Sequence, residues 1–212
     1  MLRLYYADCT GLAPEPDASA FSEYRLKKLD SVRSPELRRQ MIAAEQLLLY
    51  AVREVEPRAC FPLNIQTGPN GKPYLAECDL HFSLSHSGSW AACALSDTEI
   101  GLDIQKLSEP REALLKRVFT EEERRYLMTS AEKRVAFARL WALKESYVKA
   151  TGEGITRRFD SISLRLRDGV VTASDTRARF WTFGVGGFQA ALCTLDGSDP
   201  RPERTQKLEL GW

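Results

Sequence analysis

The second half of this chain of 212 residues repeats the first half at an offset of 99 residues. The repeated order is helix, strand, turn and hairpin. The matching positions are Ala43 with Ala142, Ala44 with Leu143, Leu63 with Ile162, Ile65 with Leu164, Asn70 with Gly169, Ala91 with Ala190, Ala92 with Ala191 and Asp97 with Asp196. Segments of about 100 residues suit a small domain, and a cleft between two domains favours ligand binding. We therefore predict an α+β pseudo-dimer of two similar halves, 1–105 and 106–212. Each half is expected to pack a small antiparallel sheet against a long helix, with the active-site cleft between the halves.

Composition is that of an ordinary globular protein, with 43% hydrophobic and 28% charged residues. The 30 basic and 29 acidic residues give a net charge of +1, which indicates neither a nucleic-acid nor a membrane partner. The five cysteines are odd in number and form no C-x-x-C pair, which favours reduced, buried thiols. The N-terminal segment turns polar too soon for a signal peptide, and no apolar run approaches the ~18 residues of a membrane span. We expect a soluble, cytoplasmic protein.

Local signals predict the helices and turns of the first half. Residues 21–56 have a helical pattern with a break at Ser34-Pro35, where the serine can cap the second helix and the proline can occupy its first turn. Gly68–Gly71 predicts a tight turn. Residues 2–7 and 61–65 have the pattern of strands.

Short connections separate three further strand patterns, 81–87, 90–95 and 99–105, which predicts that they are antiparallel neighbours. In the second half, Thr120 followed by Glu123 predicts a capped helix start, with a break near Thr129-Ser130. The remaining predictions are strands at 162–166, 180–183 and 188–195, a turn at Asp168-Gly169, and a loosely attached tail from Gly197.

Glu145 and Lys149 share one face of a helix predicted around residues 137–150 and ended by Gly152 and Gly154. One interpretation is a surface ion pair of small energy. The other is a site in which the glutamate holds a cation and the lysines of the helix hold an anionic substrate.

A second set of polar residues lies on the strand Ile100–Gln105. Side chains alternate along a strand, so Asp103 and Gln105 share the face of Gly101, about 7 Å apart. Gly101 leaves room for a bulky ligand to approach. Carboxylate and amide oxygens suit Mg²⁺, which keeps waters and is shared with phosphate oxygens. The alternative is an edge strand with a solvent-facing aspartate.

Ser85 and His86 belong to Phe82–Gly88, a stretch dense in groups that donate hydrogen bonds to phosphate. A Ser–His nucleophile pair is disfavoured because neighbours in a strand point to opposite faces. A serine-rich turn is the alternative. Lys72 follows the predicted turn and is either a ligand or an exposed lysine, and the basic residues of 25–39 are either a phosphate site or a solvated face.

The order of these elements resembles the 4′-phosphopantetheinyl transferases of the two-half type that activates surfactin synthetase. The matching motifs are Gly71-Lys72-Pro73, then Phe82-x-x-Ser85-His86-Ser87, then Gly101-x-Asp103-x-Gln105, then Trp141-x-x-Lys144-Glu145-x-x-x-Lys149. They cover roughly residues 70–152, and the last one is the most specific. The family often has Glu at the position of Gln105 and Asn at that of Ser83.

The resemblance implies transfer of 4′-phosphopantetheine from coenzyme A to a serine of an apo acyl or peptidyl carrier protein, with Mg²⁺ and with release of 3′,5′-ADP. It implies the following roles: Asp103, Gln105 and Glu145 as metal ligands; Asp103, Glu145 and Lys149 as catalytic residues; Lys144 and Lys149 on phosphate oxygens; and Lys72, Ser85, His86, Lys28 and Arg39 as further contacts of coenzyme A. Glu145, or a water that it positions, would accept the proton of the serine.

Two rival functions stay open from the sequence. Gln105 in place of Glu is compatible with a degenerate homologue that binds coenzyme A without turnover. The same residues could also serve a Mg²⁺-dependent phosphohydrolase. The sequence does not distinguish carriers of fatty-acid, polyketide or peptide synthesis. Because one chain supplies both halves, we expect a monomer with one site.

Overall fold

The computed structural model describes residues 1–15, 18–110, 112–153, 159, 162–167 and 170–210. The elements are, in chain order, β1 (Leu2–Asp8), α1 (Glu23–Asp30), α2 (Pro35–Val55), β2 (Ile65–Thr67), β3 (Pro73–Leu75), β4 (His81–Ser87), β5 (Trp90–Ser96), β6 (Ile100–Lys106), α3 (Glu112–Val118), α4 (Glu121–Thr129), α5 (Lys133–Thr151), β7 (Leu164–Arg167), β8 (Val170–Ala173), β9 (Arg179–Val185), β10 (Phe188–Thr194) and β11 (Arg204–Lys207). They form two compact units, Met1–Thr98 with Pro202–Trp212, and Glu99–Arg201. No helix among the described residues is long and apolar enough to cross a membrane.

In the first unit, a sheet of order β11-β1-β5-β4 packs against the long helix α2. The helix starts as predicted, because the hydroxyl of Ser34 accepts a hydrogen bond from the amide of Leu37 and Pro35 follows the cap. One side of α2 is fully buried and joins β1, β4 and β5 in an apolar core that includes Ile42, Leu48 and Val52. This is the predicted combination of small sheet and long helix.

The second unit repeats this arrangement. A sheet of order β6-β10-β9 packs against α5, and the hairpin β7-β8 stands beside it. The predicted capping box at the start of α4 is present, with Thr120 and Glu123 each bonded to the other's backbone amide. Gly152 ends α5 in the left-handed conformation, with φ of 68°. The predicted turn at Asp168-Gly169 and the stop at Gly154 lie outside the described residues.

The two units correspond element by element, which confirms two similar α+β halves in one chain. Shifting the first unit by 99 residues brings β1 onto β6, α1 onto α4, α2 onto α5, the hairpin β2-β3 onto β7-β8, and β4-β5 onto β9-β10. In both units the last strand of this series lies between its two partners in the sheet. Only α3 and β11 lack a counterpart among the described elements.

The structural boundary differs from the predicted halves 1–105 and 106–212. The prediction that β5 and β6 are neighbours was wrong, since β5 is flanked by β1 and β4, and β6 pairs with β10 instead. β6 therefore belongs to the second unit. The tail is not loosely attached either, because β11 pairs in parallel with β1 and so belongs to the first unit.

The cysteines are free thiols, as expected. Cys9, Cys93 and Cys193 are buried, and burial raises the pKa of the Cys9 thiol to about 11. Cys60, however, is exposed, so the expectation of burial does not hold for every thiol.

Candidate active site

Gly101 sets the distance between β6 and α5. A Cβ at this position would overlap the carbonyl oxygen of Ser146 and would lie 2.5 Å from the amide nitrogen of Ala150. The space beside Gly101 is therefore filled by the backbone of α5, and the expectation that a ligand approaches there was wrong. Side chains alternate along β6 as predicted. The face that carries Gly101 and Asp103, however, is covered by α5 instead of being open to a ligand. This close contact places the α5 side chains next to Asp103.

Asp103, Glu145 and Lys149 form one charged cluster. The ammonium of Lys149 donates a hydrogen bond to Oδ1 of Asp103 over 2.7 Å. The Asp103 side chain is only 8% exposed, so it does not face solvent from an edge strand. The Lys149 side chain is 30% exposed and bonded to Asp103, so it is not part of a fully exposed ion pair. Glu145 responds to both neighbouring charges: burial raises the pKa of its carboxyl, the charge of Asp103 raises it further, and the charge of Lys149 partly opposes this rise.

This donor set fits a small hard cation. The negative charges of Asp103 and Glu145 repel each other at a partly buried position, and a bound cation would stabilise both carboxylates. Carboxylate and amide oxygens are what Mg²⁺ prefers, and Mg²⁺ commonly takes only one or two protein carboxylates. Among the described residues no three His, Cys, Asp or Glu side chains group as a metal site, so the remaining ligands would come from substrate, water or the Gln105 amide.

Gln105 lies on the face of Asp103 and is half-buried. Its amide nitrogen reaches the carbonyl oxygen of Lys106 only over 3.5 Å, a weak contact. The side chain lines a cavity of about 470 Å³, together with Ser108, Glu109, Pro110, Leu114, Phe137 and Trp141. The cavity therefore has an apolar wall from α5 and polar groups on the β6 side.

Lys144, which was predicted to contact phosphate, lies outside this cluster. The side chain is fully buried, and its ammonium lies 2.9 Å from Oε2 of Glu123. It also donates hydrogen bonds to the carbonyl oxygens of Phe159 and Ile162, over 2.8 and 2.9 Å. Three acceptors already surround this ammonium group.

Lys28 and Arg39 lie in the helical region of the first unit. Lys28 is exposed on α1, with its ammonium 4.5 Å from the centre of the Tyr24 ring. Arg39 is partly buried near the start of α2, and its Nε donates to the carbonyl oxygen of Leu12 over 2.8 Å. Arg39 is thus tied to the loop before α1, whereas Lys28 remains accessible.

Lys72, Ser85 and His86 also belong to the first unit. Lys72 follows the turn at Gly71, whose φ of 83° requires glycine, and it is half-buried. Ser85 is buried and His86 half-buried, and strand β4 places them on opposite faces. Their roles toward coenzyme A remain predictions.

Several positioning contacts were not foreseen. Gln40 of α2 donates to the carbonyl oxygen of Gly88 over 2.6 Å and so holds the turn that follows His86. Tyr147 of α5 donates to Asp175 over 2.9 Å, and Arg177 bonds the same carboxylate, which lowers its pKa to about 2. The partners are 48 and 28 positions apart in the sequence, and no local pattern links residues at such distances. These contacts could therefore be identified only from the folded structure.

Comparison with known proteins places these features in a family. The 4′-phosphopantetheinyl transferase superfamily matches residues 99–193. The 4′-phosphopantetheinyl transferase psf-1 of Bacillus pumilus is 33% identical over 165 residues, which cover 74% of this chain and 71% of that protein. The 4′-phosphopantetheinyl transferase Sfp of Bacillus subtilis (strain 168) is 34% identical over 147 residues, 65% of this chain and 66% of Sfp.

A crystal structure of Thermotoga maritima holo-[acyl-carrier-protein] synthase (AcpS) has a TM-score of 0.42 and 24% identity, over 48% of this chain and 64% of that one. At 74% of the chain, the match to psf-1 is longer than either unit and therefore extends into both. This chain therefore belongs to the 4′-phosphopantetheinyl transferases.

Proposed function

We propose that the chain transfers the 4′-phosphopantetheine group of coenzyme A to a serine hydroxyl of an apo carrier protein, with Mg²⁺ bound by Asp103 and Glu145. The observation that carries the proposal is the cluster of two carboxylates and one ammonium on β6 and α5, with Lys149 at 2.7 Å from Asp103. Mg²⁺ bound there would offset negative charge on the pyrophosphate. Gln105 supplies a neutral oxygen beside it.

Glu145 is the proton acceptor in this proposal. Burial and the charge of Asp103 raise the pKa of its carboxyl in the metal-free protein, whereas bound Mg²⁺ would lower it, so its role as base rests on its position beside the metal site rather than on that shift. The serine oxygen forms a bond to the β-phosphorus, the bond to 3′,5′-ADP breaks, and the serine proton passes to Glu145. The leaving group takes the electron pair of the broken bond.

Lys149 supplies the fixed positive charge. Its ammonium is held in place by Asp103 and is only partly exposed, so it lies beside the position where phosphate charge would develop. Substrate phosphate oxygens would replace or share the aspartate as its partner. The cavity of about 470 Å³ next to Gln105 offers an apolar wall for the uncharged pantetheine arm.

The test is mass spectrometry of a panel of apo acyl and peptidyl carriers incubated with the protein, coenzyme A and Mg²⁺. A carrier that gains one phosphopantetheinyl group supports the proposal, and Asp103→Ala and Glu145→Gln should each abolish the gain. Release of 3′,5′-ADP without a carrier would instead support a phosphohydrolase. Binding of coenzyme A with no modified carrier would support a homologue without turnover.

A further inference from the structure

Lys144 and Glu123 form an ion pair that is completely buried. Both side chains are 0% exposed, and the ammonium lies 2.9 Å from Oε2 of Glu123. Oε2 also accepts a hydrogen bond from the amide of Thr120, and Oε1 accepts one from the amide of Leu164. A buried ion pair is stable only when its remaining donors and acceptors are satisfied, and these backbone partners meet that condition.

The pair joins three parts of the second unit. Glu123 belongs to α4, Lys144 to α5, and the carbonyl oxygens of Phe159 and Ile162 to the segment before β7. The amide of Leu164 continues the same connection into β7. The orientation of α5 about its own axis is therefore fixed at Lys144, one residue before Glu145.

The first unit has a buried ion pair at the same helical position. Glu45, which corresponds to Lys144 after the shift of 99 residues, is 0% exposed and pairs with Arg25 of α1 over 3.2 Å. The hydroxyl of Ser22, the cap of α1, donates to Glu45 over 2.6 Å. The polarity is inverted, but in both units a charge on the long helix is bound by the shorter helix before it.

The first unit lacks the charged cluster of Asp103, Glu145 and Lys149. The positions of Asp103, Glu145 and Lys149 are occupied there by Leu4, Gln46 and Tyr50. The buried charge at this helical position is thus retained where no carboxylate pair exists. The role that the two buried ion pairs share is therefore to stabilise the fold, not to bind substrate.

We propose that Lys144 is a positioning residue that, with Glu123, holds α5 so that Glu145 and Lys149 face Asp103, and that it binds no phosphate. Successive helical residues are about 100° apart, so Lys144 points away from the side shared by Glu145 and Lys149. The inference rests on the proposed transfer activity for its kinetic consequences, but not for the existence of the pair.

The experiment compares Lys144→Met, Glu123→Gln and the double variant. Breaking one half of a buried pair leaves an uncompensated charge, whereas neutralising both partners costs much less. Lys144→Met is expected to lower Tm and to reduce kcat by about 10- to 100-fold through misplacement of Glu145. Adding Glu123→Gln should restore part of Tm, of kcat and of any affinity for coenzyme A that is lost with the misplaced Lys149.

The matched control is the pair Lys116–Glu112 of α3, which has the same separation of 2.9 Å but is 70% and 81% exposed. Lys116→Met and Glu112→Gln should leave Tm and kcat nearly unchanged. A double variant no more stable and no more active than Lys144→Met would overturn the inference.

Calorimetric titration with coenzyme A separates this inference from the proposed function. If the wild type modifies no carrier, the transfer activity is refuted. Coupled Tm values would still establish the buried pair. A loss of affinity for coenzyme A that the double variant restores is expected for a positioning residue, whereas a loss that the double variant keeps would identify Lys144 as a phosphate ligand.

Discussion

The ammonium of Lys149 lies 2.7 Å from the carboxylate of Asp103, whereas burial and the charge of Asp103 raise the pKa of the neighbouring Glu145 carboxyl. Removing the negative charge with Asp103→Asn should lower the pKa of Glu145, and removing the positive charge with Lys149→Met should raise it. Carbon-13 NMR titration of the labelled glutamate carboxyl, in metal-free buffer, measures both. Burial is the largest cause of the shift, so the pKa in Asp103→Asn should remain above the ordinary value of 4.5.

The same shift gives stability a defined pH dependence. A carboxyl with a raised pKa in the folded state makes the protein lose stability as pH rises from 4.5 through the folded pKa. Glu145→Gln removes this loss and should therefore have a higher Tm than the wild type at pH 7, although it is inactive. Thermal unfolding in metal-free buffer at pH 4 and pH 7 checks it: the difference should shrink at pH 4, and a variant less stable at pH 7 would contradict the assignment.

Gly101→Ala should disrupt the site without changing a polar group. The added Cβ overlaps the backbone of α5, so the helix must move away from β6. We expect a loss of stability of about 3 kcal/mol and a large loss of transfer activity. Gly68→Ala is the control, because its Cβ would meet only the carbonyl oxygen of Lys72 at 3.7 Å. Equal denaturation midpoints for the two variants would show that the contact at Gly101 is not close.

Gln105→Glu should be active and should bind Mg²⁺ more tightly. A third negative charge beside Asp103 and Glu145 favours a divalent cation. The apparent metal affinity, taken from activity against Mg²⁺ concentration, measures the change, and Gln105→Ala controls for loss of the side chain. An inactive but folded Gln105→Glu would instead indicate that the amide donates a hydrogen bond to substrate.

Lys72 and His86 should discriminate coenzyme A from dephospho-coenzyme A if they contact the 3′-phosphate. The wild type is expected to bind the dephospho compound more weakly, because one charged contact is lost. Lys72→Met and His86→Ala should each reduce that preference, whereas the exposed Lys27→Met should not. Unchanged discrimination in both variants would exclude these residues from the site.

One molecule of coenzyme A should bind per chain. The first unit has Leu4, Gln46 and Tyr50 at the positions that correspond to Asp103, Glu145 and Lys149 of the second unit. These first-unit positions therefore offer no carboxylates for a metal ion. Sedimentation equilibrium combined with calorimetry gives the oligomeric state and the stoichiometry. We expect a monomer, and two equivalent sites per chain would refute the assignment.

Local signals predicted the parts of the fold that depend on neighbouring residues. The cap at Ser34, the capping box at Thr120 and the end of α5 at Gly152 all follow from contacts within a few residues. Strand pairing did not follow, because proximity in sequence favoured β5 with β6, whereas β10 is the actual partner. The shift of 99 residues aligns β6 with β1, but the predicted boundary after residue 105 left β6 in the first half.

Local signals also predicted part of the site, and contacts between distant residues were missed. Helical spacing correctly placed Glu145 and Lys149 on one face, and strand alternation placed Asp103, but nothing in β6 indicates that α5 rather than a ligand covers Gly101. For Lys144 a signal did exist. Its neighbours at helical spacing, Leu140, Tyr147 and Val148, are all apolar and buried, so a lysine among them predicts a buried partner.

The inverted polarity of the two buried pairs has an evolutionary consequence. If α2 were overwritten by the sequence of α5 through gene conversion, a lysine would replace Glu45 opposite Arg25, and two cations would meet in the core. The reverse exchange would place a glutamate opposite Glu123 and against the carbonyl oxygens that now accept from Lys144. Exchange of the helix sequence in either direction would therefore bury two like charges. This incompatibility disfavours gene conversion between the two halves, so their sequences evolve independently.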